Sequence, residues 1–290
     1  MECKNLASEI ADRAVLAALL EVGTEKPGSV TPSKSFNDLS YSDFFDAALV
    51  MREPLKLVAE RGISVSEGSI DASDICVGKC IYDAFQPTTT NVNFGIVLMF
   101  SPLAAAAGYS LKGNGLRKSL ESVIKAANSS DTLWIYKAMR KTNLGGMELK
   151  DESLRELDVF SDSALDKIEQ EQIGPLELFS RCKDDKLAEE WSTGLELCFQ
   201  KSKEIVLSAD GIRKCYLEIL AENPDTFIAR KACLRKAEEA SERACDVLEG
   251  RLREDELDAY LRSEGNLLNP GTTADLTATS IFIRLLENKQ

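Results

Sequence analysis

Apolar residues recur along this chain at helical spacing, and no stretch alternates apolar and polar as a half-buried strand would. Leu6, Ile10, Ala14, Ala17 and Ala18 fall on one side of a helix near the start. Ala237, Ala240, Ala244, Val247 and Leu248 do the same in a long helix expected to begin after Pro224. Ala278, Ile281, Phe282, Leu285 and Leu286 line the last helix. The most apolar run, VNFGIVLMFSPLAAAA from Val92 to Ala107, is shorter than the ~20 residues that cross a bilayer. Asn93, Ser101 and Pro102 interrupt it, so it predicts a buried central helix. Gly23, Gly62, Gly108 and Gly250 stand where C-terminal helix stops are expected. The pattern predicts an all-α fold: one compact multi-helix domain over residues 1–290, built from about a dozen helices. The polar stretch from Thr142 to Ser163 has helical pattern on both sides and reads as a surface excursion within that domain.

Composition changes the picture in three ways. The net charge of −13 and a pI of about 4.7 argue against a nucleic-acid partner, which needs concentrated positive potential. They leave room for a small anionic ligand held by a few local bases. There is no histidine, which removes the commonest general base, the usual catalytic zinc ligand and every Ser-His or Cys-His pair. The eight cysteines include no CxxC pair, and Cys76 with Cys80 has no second pair to complete a zinc set. They read as small apolar residues of a reducing compartment. The start, MECKNLASEI, lacks the basic and apolar regions of a signal peptide. A cytoplasmic protein without membrane contact is expected.

Four junctions break the helical rhythm with clustered polar groups. LLEVGTEKPGSV, from Leu19 to Val30, ends a helix at Glu21 and sets Lys26 before Pro27 and Gly28. TTTNVNFGI, from Thr88 to Ile96, puts hydroxyls with Asn91 and Asn93 at the mouth of the apolar helix. NPDTFIARKA, from Asn223 to Ala232, has Asp225 and Thr226 in a first turn and Arg230 one turn on. NLLNPGTTADL, from Asn266 to Leu276, opens the final helix with Asn269, Gly271, Thr272 and Thr273, and carries Asp275 too far along to be a simple cap. Each alone reads as ordinary helix capping. Helix-start N–H groups also bind anions, and Gly271 would let a phosphate approach the main chain. Four such junctions predict one shared pocket.

In that order the four motifs resemble those of the triphosphoribosyl-dephospho-CoA synthase family, most closely its archaeal-type branch, from about residue 10 to residue 287. The resemblance implies an all-helical fold and a pentosyltransferase that joins ATP to 3′-dephospho-CoA for prosthetic-group biosynthesis. The 2′-OH of the acceptor would attack C1′ of the ATP ribose, and adenine would leave. It implies roles for Glu21, Lys26, Pro27, Gly28, Asn91, Asn93, Gly95, Asp225, Thr226, Arg230, Asn269, Gly271, Thr272, Thr273 and Asp275. Three departures stand out: no histidine follows Pro-Gly, Val92 separates the two asparagines, and Ala232 replaces a glycine. They keep open a different acceptor in another cofactor pathway, or a non-catalytic nucleotide-binding protein.

The implied chemistry builds positive charge on the ribose, as glycoside transfer does. One carboxylate would stabilise that charge, another would take the 2′-OH proton, and Mg²⁺ would accompany the triphosphate. Glu21, Asp225 and Asp275 would divide the catalytic and metal-binding roles. Lys26 and Arg230 would meet phosphates, and the asparagines would read ribose or base edges.

Overall fold

The computed structural model describes residues 2–88, 90–144, 156–161, 163–182 and 184–288. Most of the stretch expected as a surface excursion lies outside them; Leu157 and Val159, within it, are buried. Among the described residues there is no strand, only isolated bridges at Thr31–Lys34 and Phe36–Leu39 in one loop. The all-α expectation holds, with more helices than the dozen expected.

The N-terminal part comprises α1 (Glu2–Val22), α2 (Tyr41–Val50), α3 (Arg52–Glu67), α4 (Val77–Ala84), α5 (Phe94–Tyr109), α6 (Leu116–Ala126) and α7 (Ser129–Lys141). Helix α5 is the central one: α1, α3, α4 and α6 pack around it, and only Ala107 and Tyr109 among its residues are not buried. Burying a proline in such a helix has a cost, because Pro102 has no N–H for the carbonyl four residues earlier. That carbonyl, on Leu98, instead accepts Trp191 Nε1 at 3.1 Å. The freed group is satisfied by a side chain distant in sequence.

Two glycines correct the reading of helix stops. Gly62 lies inside α3 and Gly108 in the last turn of α5, where the two helices cross. A Cβ on Gly62 would come 2.0 Å from Ala105 O, and one on Gly108 would come 2.2 Å from Ala59 O. They are glycine because backbone meets backbone there. Gly23 and Gly250 do follow helix ends.

The C-terminal part continues with α8 (Ser163–Glu171), α9 (Pro175–Arg181), α10 (Lys186–Thr193), α11 (Glu196–Glu204) and α12 (Ala209–Glu222). After these come α13 (Thr226–Lys231), α14 (Leu234–Leu248), α15 (Glu254–Arg262) and α16 (Gly271–Glu287). The long helix expected after Pro224 is therefore two. Ile228 and Ala237 both enter one apolar cluster. Nine residues at about 100° each would put them on opposite sides of a continuous helix. The break at Ala232 (φ −113°, ψ −82°) brings both faces inward.

The buried apolar residues form a large cluster around α5 and a smaller one among α12, α13, α14 and α15. Helix α12 serves both: Ile212, Cys215 and Ile219 face the first, while Tyr216, Leu217 and Leu220 face the second. Helix α16 docks on α5 through Phe282 and Phe100, whose ring centroids are 4.5 Å apart.

Candidate active site

The end of α1 places Glu21 in the interior, and the following loop folds Lys26 back onto it. The Lys26 side chain is fully buried, with Nζ 3.2 Å from Glu21 Oε1. Nζ also donates to the carbonyls of Glu21 and, at 2.8 Å, Thr24. Glu21 Oε1 is close enough to attract the ammonium but accepts no aligned hydrogen bond. Lys26, expected as a phosphate ligand, is thus directed at the chain's own oxygens and turns no donor to solvent. Burial pushes the Glu21 carboxyl up, and Lys26 pulls it back down.

The same loop is tied to α15. Gly28 has φ +71°, and a Cβ there would meet Leu261 at 2.6 Å. Its N–H donates to Asp258 Oδ1 at 2.8 Å, and Asp258 also takes Lys34 Nζ at 2.7 Å and Arg262 Nε at 2.8 Å. Gly28 therefore positions the loop. Tyr216 OH, donating to Pro27 O at 2.8 Å, fixes it from α12.

Three helix N-termini meet on the other side. Asp225 caps α13 with Oδ1, which accepts from Phe227 N at 2.9 Å and Ile228 N at 3.0 Å. Its Oδ2 accepts both the N–H and the hydroxyl of Thr273, each at 2.8 Å. The anion at the start of α16 is thus a protein carboxylate, and Gly271 lies against the Phe227 ring, where a Cβ would come 3.0 Å from Cδ1. Thr226 and Thr272 share a hydrogen bond of 3.0 Å, and Lys186 N at the start of α10 donates to Thr226 Oγ1 at 3.4 Å. Burial raises the Asp225 carboxyl, opposed by its bonds to Thr273 and Ile228.

Between these two sides stands Asp275, one turn inside α16. Its carboxylate accepts no hydrogen bond from any described residue; the Thr279 hydroxyl donates to its backbone carbonyl instead. Oδ2 lies so close to Gly95 that a Cβ there would be 2.0 Å away, and Leu187 borders the same spot. Asp275 retains partial contact with solvent, yet desolvation is the largest influence on it, as for a carboxylate at the bottom of a cleft. Burial pushes its carboxyl well above the usual range, and the charges of Glu21, Asp225 and Asp185 add to that against Arg230. All four groups thus lie within electrostatic reach of Asp275.

The remaining predicted residues sit around this centre. Arg230 pairs with Asp185, the cap of α10, rather than with Thr226, and its Nε is buried without a partner. Asn93 caps α5 in a left-handed conformation (φ 63°); its Nδ2 is 3.5 Å from Phe44 O and its buried Oδ1 has no partner. Asn91 is exposed at the same helix start. Asn269 is buried and donates to Asn266 at 3.1 Å. Sequence reasoning missed Asp185 and Asp258; an Asp two residues before an apolar helical stripe was the available signal for the first, and nothing local marked the second. Among the described residues, no group of three or more His, Cys, Asp and Glu side chains is arranged to hold a metal ion.

The fold and site thus define an all-α protein whose first, central and last helices place Glu21, facing Lys26, and Asp275, which accepts no hydrogen bond from the described residues. The model of the family described as ATP:dephospho-CoA triphosphoribosyl transferase matches residues 7–290, and the chain belongs to that family. Its members are transferases, so the chain is an enzyme of that class. A crystal structure of a provisionally assigned triphosphoribosyl-dephospho-CoA synthase from Archaeoglobus fulgidus is similar in fold, with a TM-score of 0.62 and 24% identity. The match covers 84% of this chain and 99% of that one. No curated protein matches the chain. No helix among the described residues is long and apolar enough to cross a membrane.

Proposed function

We propose that the chain transfers the triphosphoribosyl group of ATP to 3′-dephospho-CoA. The acceptor 2′-oxygen bonds to ribose C1′, the C1′–adenine bond breaks, the 2′-OH proton passes to a carboxylate, and adenine leaves with the bonding electron pair and takes up a proton. The product is 2′-(5″-triphosphoribosyl)-3′-dephospho-CoA. One observation carries this reading for the site: Asp275 is a desolvated carboxylate without donors, set against Gly95 within reach of Glu21 and Arg230. Such a group costs stability in the free protein and is retained where a ligand or reaction uses it.

The residues then divide as their hydrogen bonds suggest. Asp275 and Glu21 have unspent oxygen acceptors, so one takes the 2′-OH proton and the other faces the positive charge that develops at C1′. Asp225 accepts four hydrogen bonds and acts by joining α13 to α16. Lys26 holds Glu21, and Arg230 is left as the phosphate contact of the pair first expected. Asn93, with an unpartnered Oδ1, and Asn91 are placed to meet ribose or base edges. Whichever of the two does not take the proton has an oxygen that could serve Mg²⁺, an ion that needs as few as one protein carboxylate alongside phosphate oxygens. When bound it would offset triphosphate charge. Since the site draws on helices from both apolar clusters, we treat residues 1–290 as one functional domain.

Incubation with ATP, Mg²⁺ and 3′-dephospho-CoA tests the reading, with free adenine followed by chromatography and the product by mass. Adenine release with a product of the summed mass less adenine is expected. ATP left intact with this acceptor would remove the proposal; adenine release with another acceptor would keep the transfer and change its substrate.

A further inference from the structure

Arg230 has one hydrogen-bonded partner among the described residues, Asp185, and its guanidinium carbon lies 5.8 Å from the Phe227 ring centroid. Nη1 is paired with Asp185 Oδ2, Nε is buried with no partner, and Nη2 donates to no described residue. A guanidinium has five N–H donors in one plane, so most of this group's capacity is unspent. The residue that holds it is itself held. Asp185 Oδ1 accepts the N–H groups of Leu187 at 2.9 Å and Ala188 at 3.1 Å, which fixes the carboxylate at the start of α10. Leu187, whose N–H Asp185 accepts, borders the spot where Asp275 Oδ2 meets Gly95, so the pair belongs to the cleft.

We infer that Asp185 is a positioning residue for substrate phosphate: it fixes Arg230 through Nη1 so that Nη2 meets a phosphate oxygen of the nucleotide. The identity of that ligand rests on the transfer reaction proposed above. The sign of the effect is diagnostic. Removing an acid beside an anion-binding arginine makes the local potential more positive, which by itself tightens phosphate binding. Positioning has the opposite consequence, because an arginine freed from its anchor must be ordered again by the ligand.

Asparagine caps a helix as well as aspartate, so Asp185→Asn keeps an acceptor for Leu187 and Ala188 while the charge on Arg230's partner is lost. Asp185→Ser, also a capping residue, is the second variant should the first fold poorly. Calorimetric titration with ATP and Mg²⁺ should show affinity falling roughly fivefold to tenfold in either variant, the scale of one positioned charge-assisted contact. Arg230→Ala should lose at least as much, and the double variant no more than Arg230→Ala alone, since Asp185 acts through Arg230. Glu189→Gln is the charge control; Glu189 pairs with Lys186 at 3.0 Å on the exposed side, and the change should stay within about twofold. In turnover, KM for ATP should rise with kcat within about twofold, a split that general loosening would not give. Wild-type or tighter ATP binding by Asp185→Asn, or losses that add in the double variant, overturns the assignment. Failure of the reaction is a separate result: weakened ATP binding in Asp185→Asn without adenine release from wild type would retain Asp185 as the anchor and remove the transfer.

Discussion

The corner between α4 and α7 and the cleft at Asp275 both bury carboxylates, and they handle them in opposite ways. At the corner, Asp131 Oδ1 accepts Gly78 N at 2.8 Å and Oδ2 accepts Asn128 N at 3.0 Å. A Cβ on Gly78 would lie 2.2 Å from Asp131 O, so the two helices are in backbone contact. Glu190 is similar, taking Leu197 N at 3.2 Å and Cys198 N at 3.0 Å. In the cleft, Glu21 has one ammonium nearby and Asp275 has no donor among the described residues. Burial pushes all of these carboxyls up, so the direction of the shift does not separate them. The supply of donors does. A carboxylate fed by backbone N–H groups is part of the frame, and one left unfed is available to a ligand.

The strongest way to break this comparison is to take away the ammonium that faces Glu21. Lys26→Met should leave Glu21 as an uncompensated buried charge and lower stability by roughly 3–5 kcal/mol. Chemical denaturation measures it. A loss under about 1 kcal/mol would mean that Glu21 needs no counter-charge, and the two regions would then differ less than their geometry indicates.

Asp275→Asn is the next largest. Removing a donor-free acid relieves its repulsion with Glu21 and Asp225, so the melting temperature should hold or rise. Adenine release should fall by a factor of ~100 or more, the range of a lost acid–base or metal-binding group. Near-wild-type turnover would make Asp275 an ordinary residue of the first turns of α16.

The contrast also marks how far the sequence was readable. Periodicity gave away the stripes of α1 and α16 and the burial of α5, because one-sided or all-round apolarity is a local signal. The α13–α14 break was visible only in hindsight of phase, since Ile228 and Ala237 must both reach a cluster that the sequence does not draw. Gly62 looked like a stop because its reason, the Ala105 carbonyl, is distant in sequence. The four motifs were legible, and the structure joins the second and third to the last, Gly95 lying against Asp275 and Asp225 bonding Thr273. Their division of labour was not. Asp225 takes local cap bonds from Phe227 and Ile228 and tertiary ones from Thr273, and the tertiary pair, which makes it part of the frame, is not written in its own stretch of sequence. Asp185 escaped notice because an N-cap aspartate is common, and its second bond crosses to another helix.

On the frame side, Asp131→Ala should leave Gly78 N and Asn128 N without their acceptor. The expected cost is about 2 kcal/mol, the worth of a lost capping-box bond and one buried donor, read from urea denaturation. The folded variant should keep wild-type kcat. Impaired turnover with intact folding would show that the corner communicates with the cleft.

The smallest effect is a slope. A carboxyl whose pKa is higher folded than unfolded binds more protons in the folded state between those two values, so stability falls as pH rises through that window. For Asp275 and Asp131 the window opens at the ordinary value of 3.8 and extends upward. One proton difference corresponds to about 1.4 kcal/mol per pH unit at most, and differences between variants are a fraction of that. In metal-free protein, stability measured stepwise from about pH 4 to pH 7 should decline less steeply in Asp275→Asn than in wild type. Asp131→Asn should flatten the decline less, because the N–H groups of Gly78 and Asn128 stabilise its charged form and nothing comparable serves Asp275. Equal flattening by the two variants would mean that backbone donors do not ease the burial of a carboxylate here, and the distinction between frame and cleft would have to rest on position alone.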